Sequence, residues 1–182
     1  YEGRSLDDHE VTTFVRSLLP AAGETTTRTF GTLMVLLLEN PDVLERVKAD
    51  RGLVNKAIDE SIRYEPVATF KVRQAAEATE IRGVQIPKGA MVSCIVSSAN
   101  RDEDAFVDAD KFDIDRKPRP SFGFGFGPHM CIGQFVAKTE INCALNAILD
   151  LMPNLRLDPS KPAPKITGAQ LRGPHELHVL WD

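Results

Sequence analysis

Apolar residues recur at helical spacing through Val11, Phe14, Val15 and Leu18 and then crowd into the unbroken run "TLMVLLL" at residues 32 to 38. The first forty residues therefore predict one long helix. "SLDD" at residues 5 to 8 has the form of a capping box at its start, and "ENP" at residues 39 to 41 stops it. The middle breaks the local rule, because "LLPAAGETTTR" puts Pro20, Gly23 and three consecutive threonines where a helix prefers Leu, Ala or Glu. An interior proline costs about 3 kcal/mol and a glycine about 1 kcal/mol. A helix that survives such a stretch is read either as a kinked core helix or as one distorted to serve a ligand.

"PDVLERVKAD" and "GLVNKAIDESIRYEP" predict two further helices, the second ending ahead of Pro66 as a residue before proline should. Between residues 68 and 97 the pattern shortens to β-like runs, "TFKVRQA", "TEIRGVQIP" and "MVSCIVS", separated by glycine and "PKG" turns. A polar, Pro-punctuated connection from "ANRDEDAF" to "RKPRPS" follows, long enough that a compact domain retains it only for a purpose. Helical periodicity returns in "IGQFVAKTEINCALNAILDLM", and "ITGAQLRGPHELHVLW" reads as a closing hairpin. The fold class is mainly α with small β-sheets, without internal repeats.

With 42% hydrophobic residues, a chain of 182 residues can bury one core, so one domain is expected. A net charge of −4 supplies no basic field for nucleic acid or an anionic membrane, which points to a small or neutral partner. The run at residues 32 to 38 is too short to cross a bilayer. Cys94, Cys131 and Cys143 are odd in number, widely spaced and preceded by no signal peptide. They argue against a disulfide framework and for a reducing cytoplasm.

The chemistry concentrates in "SFGFGFGPHMCIG", residues 121 to 133. A Gly-rich run before a helix suggests a phosphate cradle, yet the dinucleotide spacing is absent and no Lys-Ser or Lys-Thr closes the loop. Phe122, Phe124 and Phe126 would waste apolar surface beside a phosphate, so a flat apolar neighbour fits better. Taken alone, Cys131 reads as a buried structural thiol, as do Cys94 in an apolar strand and Cys143 on an apolar helix face. His129 and Cys131 form an H-x-C pair, but zinc needs four clustered N or S ligands. The remaining His and Cys residues offer no second close pair except His175 and His178 on a predicted strand. Glu60 and Arg63, at i and i+3, read alone as an exposed ion pair, and Thr25 as a hydroxyl bonded back to the carbonyl four residues earlier. Arg73 alone reads as a solvated strand arginine.

Together these pieces resemble one family. "FGFGPHMCIG", residues 124 to 133, is similar to the cysteine-ligand loop of the cytochrome P-450 (haem-thiolate) monooxygenases, Phe-x-x-Gly-x-x-x-Cys-x-Gly. Phe124, Gly127, Cys131 and Gly133 fill that pattern. Other marks of the family stand in the same order: Glu-x-x-Arg as Glu60 and Arg63, an "FDxxR"-like segment ending at Arg116, and a mid-helix acid–alcohol motif in "AAGETT". The resemblance covers the whole chain but only the C-terminal half of the family's usual length. It implies a single haem-binding domain over residues 1–182, running from the long central helix to the C-terminal hairpin and lacking an N-terminal half.

The resemblance also implies roles. Cys131 would ligate the iron of haem b as a thiolate, with Gly125, Gly127 and Gly133 turning backbone N–H groups toward the sulfur and Phe124 keeping water away. His129 and Arg73 would hold the haem propionates, while Ser121 stands where bacterial relatives often carry a further histidine. Glu60, Arg63 and Arg116 match the structural ion triad on the thiolate side. Glu24 and Thr25 match the acid and alcohol that deliver protons during dioxygen activation, although Ala22 replaces the glycine common in the family. Substrate contacts would come from Val67, Ala68, Thr69, Phe70, Gln170 and Leu171, suiting a small apolar molecule. Electrons would arrive from a ferredoxin or flavoprotein steered by Arg119 and Lys138 beside the loop.

The expected activity is insertion of one oxygen atom from dioxygen into that substrate, the alternative being a catalytically silent haem-binding fragment. The apolar long helix, normally covered by preceding helices, also predicts self-association or pairing with a separate N-terminal half.

Overall fold

The computed structural model describes residues 3–182. Helix α1 runs without interruption over Asp8–Glu39, passing straight through Pro20. The hydroxyls of Ser17, Thr25, Thr27 and Thr29 each donate to the carbonyl four residues back, so the threonine run is held by local bonds. Its cap is Asp7, two residues beyond the expected Ser5. Asp7 accepts the Glu10 N–H (2.8 Å) while the Glu10 carboxylate accepts the Asp7 N–H (3.0 Å), a reciprocal box that the Ser5–Asp8 frame does not form.

Thr32 to Leu38 are buried on every face, as an all-apolar helical segment requires. The N-terminal half is different, because Val11, Phe14, Val15, Leu18 and Leu19 are exposed. α1 is thus a core helix only over its last two turns.

Helix α2 (Pro41–Ala49) starts on a proline at its first position, and a 3-10 turn over Arg51–Leu53 leads into α3 (Val54–Tyr64). Strand β1 (Phe70–Gln74) pairs antiparallel with β4 (Met91–Ile95). Between them β2 (Thr79–Ile81) and β3 (Val84–Ile86) form their own hairpin. Its tip is Arg82–Gly83, both at positive φ, as a two-residue turn that matches strand twist demands. The β-like runs between residues 68 and 97 therefore make two separate pairs, and "MVSCIVS" leaves the strand after Ile95 to form the short α4 (Val96–Ala99).

Turns without helix or strand occupy residues 100–126, before α5 (Gln134–Leu151). β5 (Arg156–Leu157) pairs with β8 (Val179–Leu180), and β6 (Ile166–Thr167) with β7 (Gly173–Pro174). The closing hairpin is thus β6–β7 alone. His175 and His178 fall between β7 and β8 instead of on a strand.

The core joins the end of α1 to α2, α3 and α5, with Phe112, Ile114 and Leu155 packed between them. On α5 the inward residues are Ile141, Leu145 and Leu149, spaced by four. Cys143 points away from that stripe and is exposed, as is Cys94 on β4, so neither is the buried thiol that their apolar neighbours suggested. No helix is long and apolar enough to cross a membrane among the described residues.

Candidate functional site

Cys131 lies in a loop that the backbone closes on itself. Its N–H donates to the Phe124 carbonyl (2.8 Å), and the Gly125 N–H donates to the Phe122 carbonyl (2.9 Å). Gly125 needs its glycine: φ is +82°, and a Cβ there would come 3.3 Å from the His129 carbonyl oxygen. Gly133 is less constrained, since its φ is −87° and a Cβ would sit 4.0 Å from the Cys131 sulfur, an ordinary contact. It caps α5 without a side-chain bond, so the N–H end of that helix stays adjacent to the cysteine. α5 begins at Gln134, slightly later than the expected Ile132.

The thiol is unpaired and exposed, and the chain on either side of it is apolar: Phe122, Phe126, Met130, Ile132 and Phe135 are all exposed, Ile132 almost completely. A flat apolar group with a thiolate-seeking metal matches this donor and these faces; an anion does not. Phe124 is half-buried against the core, while His129 ends the 3-10 turn Gly127–His129 and is exposed. Among the described residues no three His, Cys, Asp or Glu side chains gather to hold a metal ion.

Beneath the loop lies a buried ion cluster. Glu60 and Arg63 face each other one turn apart on α3, and Arg116 reaches the same Glu60 oxygen from the irregular connection (3.2 Å). The Arg63 guanidinium also donates to the carbonyls of Asn100, Ala109 and Lys111, and Arg116 to those of Val107, Asp108 and Lys111. Two guanidiniums thereby pin the otherwise unstructured connection to α3. Every charge is paired and hydrogen-bonded, the condition under which burial is tolerated.

The segment from Val67 to Phe70 meets Gln170 and Leu171 directly. The Thr69 N–H donates to the Gln170 carbonyl (3.1 Å), the Arg172 N–H to the Val67 carbonyl (2.8 Å), and Ala68 bridges Leu171. Glu65 adds ion pairs to Arg101 and Arg172, both at 3.3 Å. The β6–β7 hairpin rests on α1, where a Cβ at Gly173 would lie 2.9 Å from the Arg28 Cβ. Arg28 is one turn from Glu24 and binds it at 2.8 Å. Thr25 beside it donates to the Ala21 carbonyl (2.7 Å), the back-bond expected of any helical threonine.

Two expected surface residues are engaged elsewhere. Lys138 pairs with Asp59 at 2.6 Å and lies over the Phe124 ring, and Arg119 lies over the ring of Phe106. Arg73, exposed on β1, donates to the neighbouring Val72 carbonyl (2.9 Å) and is not in contact with His129 through any hydrogen bond or ion pair among the described residues.

Sequence reasoning missed two residues. Gly123 is packed so closely on α3 that a Cβ would fall 2.3 Å from the Ile62 Cγ2 atom, and Asn100 is fully buried with its Oδ1 accepting the Phe122 N–H (2.7 Å). The alternating glycines signalled Gly123. Nothing local signalled Asn100, whose partner is 22 residues away.

A family model described as cytochrome P-450 matches residues 1–170. Among curated proteins the chain is similar to pulcherriminic acid synthase of Bacillus subtilis (strain 168), 36% identical over 100% of this chain and 47% of that protein. It is also 36% identical to mycinamicin IV hydroxylase/epoxidase of Micromonospora griseorubida, over 97% of this chain and 45% of that protein. Among solved structures, CYP109E1 from Bacillus megaterium in complex with testosterone superposes with a TM-score of 0.94 at 31% identity, covering 100% of this chain and 51% of the other. The chain spans about half the length of the relatives it matches.

Proposed function

The chain belongs to the cytochrome P-450 family, and on that premise we propose that residues 1–182 form a single haem-binding domain of a monooxygenase that inserts one oxygen atom from dioxygen into a small apolar molecule. The observation that carries this reading is the Cys131 loop: an unpaired thiol at the N-terminal end of α5, fastened by the Cys131–Phe124 backbone bond and flanked in the chain by exposed apolar residues.

Cys131 would hold haem b as the thiolate ligand, with Phe124, Gly125 and Gly133 shaping its surroundings and His129 and Arg73 serving the propionates. When bound, that group supplies the redox and oxygen chemistry. The chain's own residues do the rest. The N–H end of α5, capped at Gly133, lies next to the cysteine. Glu60, Arg63 and Arg116 fix the connection beneath the loop.

Glu24 and Thr25 act as the proton relay. In the resting geometry the Thr25 hydroxyl spends its proton on Ala21, and Glu24 is tied to Arg28. The relay therefore works by Glu24 leaving Arg28 and by Thr25 rotating away from the helix carbonyl, both side chains being only half-buried. Val67, Ala68, Thr69, Phe70, Gln170 and Leu171 would contact substrate. An external ferredoxin or flavoprotein in the cytoplasm would deliver the electrons. Arg119 would contribute to that docking more than Lys138, whose charge Asp59 already offsets.

The test replaces Cys131, Cys94 and Cys143 in turn by serine and records the reduced carbon monoxide spectrum of the haem-loaded protein. Only Cys131→Ser should abolish the red-shifted thiolate band; a band that survives in that variant refutes the ligand assignment. The silent-fragment reading predicts that even the wild-type chain binds haem without turnover.

A further inference from the structure

Asn100 closes α4 and has no exposed surface at all. Three of its four polar groups are used. Its N–H donates to the Val96 carbonyl (2.9 Å), its carbonyl accepts the Arg63 guanidinium (2.8 Å), and its Oδ1 accepts the Phe122 N–H (2.7 Å). The side-chain Nδ2 has no hydrogen-bond partner among the described residues. Burying an unbonded amide N–H is unfavourable, and an aliphatic side chain would fill the same space without that cost. What an amide offers here and a hydrocarbon cannot is the single acceptor for Phe122.

That bond sits at the root of the cysteine loop. Next to Phe122, Gly123 packs on α3 so closely that a Cβ would fall 2.3 Å from the Ile62 Cγ2 atom. From Phe122 the backbone bonds continue inward: its carbonyl accepts the Gly125 N–H, and the Phe124 carbonyl accepts the Cys131 N–H. On the other side, the Asn100 carbonyl is held by Arg63 of the buried ion cluster. One residue thus fastens the loop that ends in Cys131 to the guanidinium that organises the connection.

We propose that Asn100 is a positioning residue for Cys131, setting the register of the loop on α3 through its Oδ1–Phe122 bond and transmitting to it the placement fixed by Glu60 and Arg63. The proposal rests on Cys131 being the iron ligand. It assigns a role to the otherwise unexplained buried amide: both N–H donors of its Nδ2 go unused so that its Oδ1 can hold one backbone N–H.

The test uses haem-loaded protein expressed from its whole reading frame, as wild type, Asn100→Leu and Asn100→Asp, the last of which keeps an acceptor at the Oδ1 position. Site-resolved hydrogen exchange should rise at least about tenfold at the Phe122 and Cys131 amides of Asn100→Leu, while Ile58 and Ser61 on α3 stay near wild type, as local opening requires. The reduced carbon monoxide spectrum of the same variant should gain the band of a displaced or protonated thiolate, and Asn100→Asp should restore both readouts toward wild type. If Asn100→Leu fails to fold, Asn100→Ser, too short to reach Phe122, takes its place.

Unchanged protection at Phe122 overturns the proposal. So does exchange that rises equally along α3, which marks a general loss of stability, or a failure of Asn100→Asp to restore the loop. A wild type without a thiolate band would instead defeat the ligand assignment, and the exchange result would still report the Asn100–Phe122 bond.

Discussion

Glu60 and Arg63 meet through two parallel bonds, Oε2 to Nε and Oε1 to Nη2, each 2.7 Å, with side chains only 6% and 3% exposed. The fork geometry is the strong form of a carboxylate–guanidinium contact, and lysine cannot reproduce it. Removing one member of a buried pair leaves the other charge uncompensated, at about 3–5 kcal/mol. Glu60→Ala and Arg63→Lys should therefore both lower the denaturant midpoint sharply and reduce haem retention. A midpoint within error of wild type for either variant would show that the cluster is dispensable.

Thr25→Ala, made in the complete haem-loaded protein, should leave folding within about 0.5 kcal/mol of wild type, since the lost bond is a local one to Ala21. Under the proposed relay its effect would fall on proton delivery, a contribution of roughly 10²–10⁴-fold where such a group operates. The fraction of electrons recovered in product should fall by an order of magnitude or more, with peroxide rising to match. Equal coupling in the two proteins rejects Thr25 as part of the relay.

The solvent-accessible area of the chain is 12096 Å². A compact monomer of 20.1 kDa exposes about 8,700 Å². The excess coincides with the exposed Val11, Phe14, Val15, Leu18 and Leu19 on α1 and the Phe and Ile side chains around Cys131. The isolated 182-residue chain should accordingly bind a hydrophobic dye and scatter light above monomer mass in a concentration-dependent way. Adding a separately produced N-terminal half should suppress both signals. A dye-silent monomer would mean that the chain closes over these residues.

The start of α1 should respond to acid. A side-chain bond to Arg4 and a backbone bond to Asp7 hold the Glu10 carboxyl below its ordinary value. A carboxyl lowered in the folded state stabilises fully above its unfolded value and loses that contribution as pH falls through its folded one. The first turn should therefore fray from the ordinary glutamate range downward, seen as faster exchange of the Val11 amide, which donates to Asp7. Glu10→Gln should shift that loss out of the acid range. An identical acid response in Glu10→Gln would assign the fraying to another group.

Much of this was legible in the chain itself because it is local. The length of α1, the turn at Arg82–Gly83 and the cysteine loop each follow from residues close in sequence. What escaped depends on distance or on competition between near-equal signals. Asp7 displaced Ser5 as the cap because Glu10 stands three residues on and can answer it, whereas Ser5 has Asp8. Cys143 read as buried because its neighbours are apolar, yet a helix turns 100° per residue and the inward stripe falls on Ile141 and Leu145. Asn100 carries no local mark, since its importance arises only when α4 and the cysteine loop come together. Spacing alone favoured an exposed Glu60–Arg63 pair, whereas the pair is buried and joined by Arg116 from a distant part of the chain.

The clasp between the Phe124 carbonyl and the Cys131 N–H makes residues 124 to 131 a ring of fixed circumference. Such a ring has no slack: one residue inserted anywhere inside it would have to be absorbed by moving the cysteine, whereas the β2–β3 tip at Arg82–Gly83 is exposed and bounded by strands that pair only with each other. Extra residues at that tip would leave the cysteine where it is, while the eight residues from Phe124 through Cys131 cannot change in number without breaking the bond or moving the sulfur.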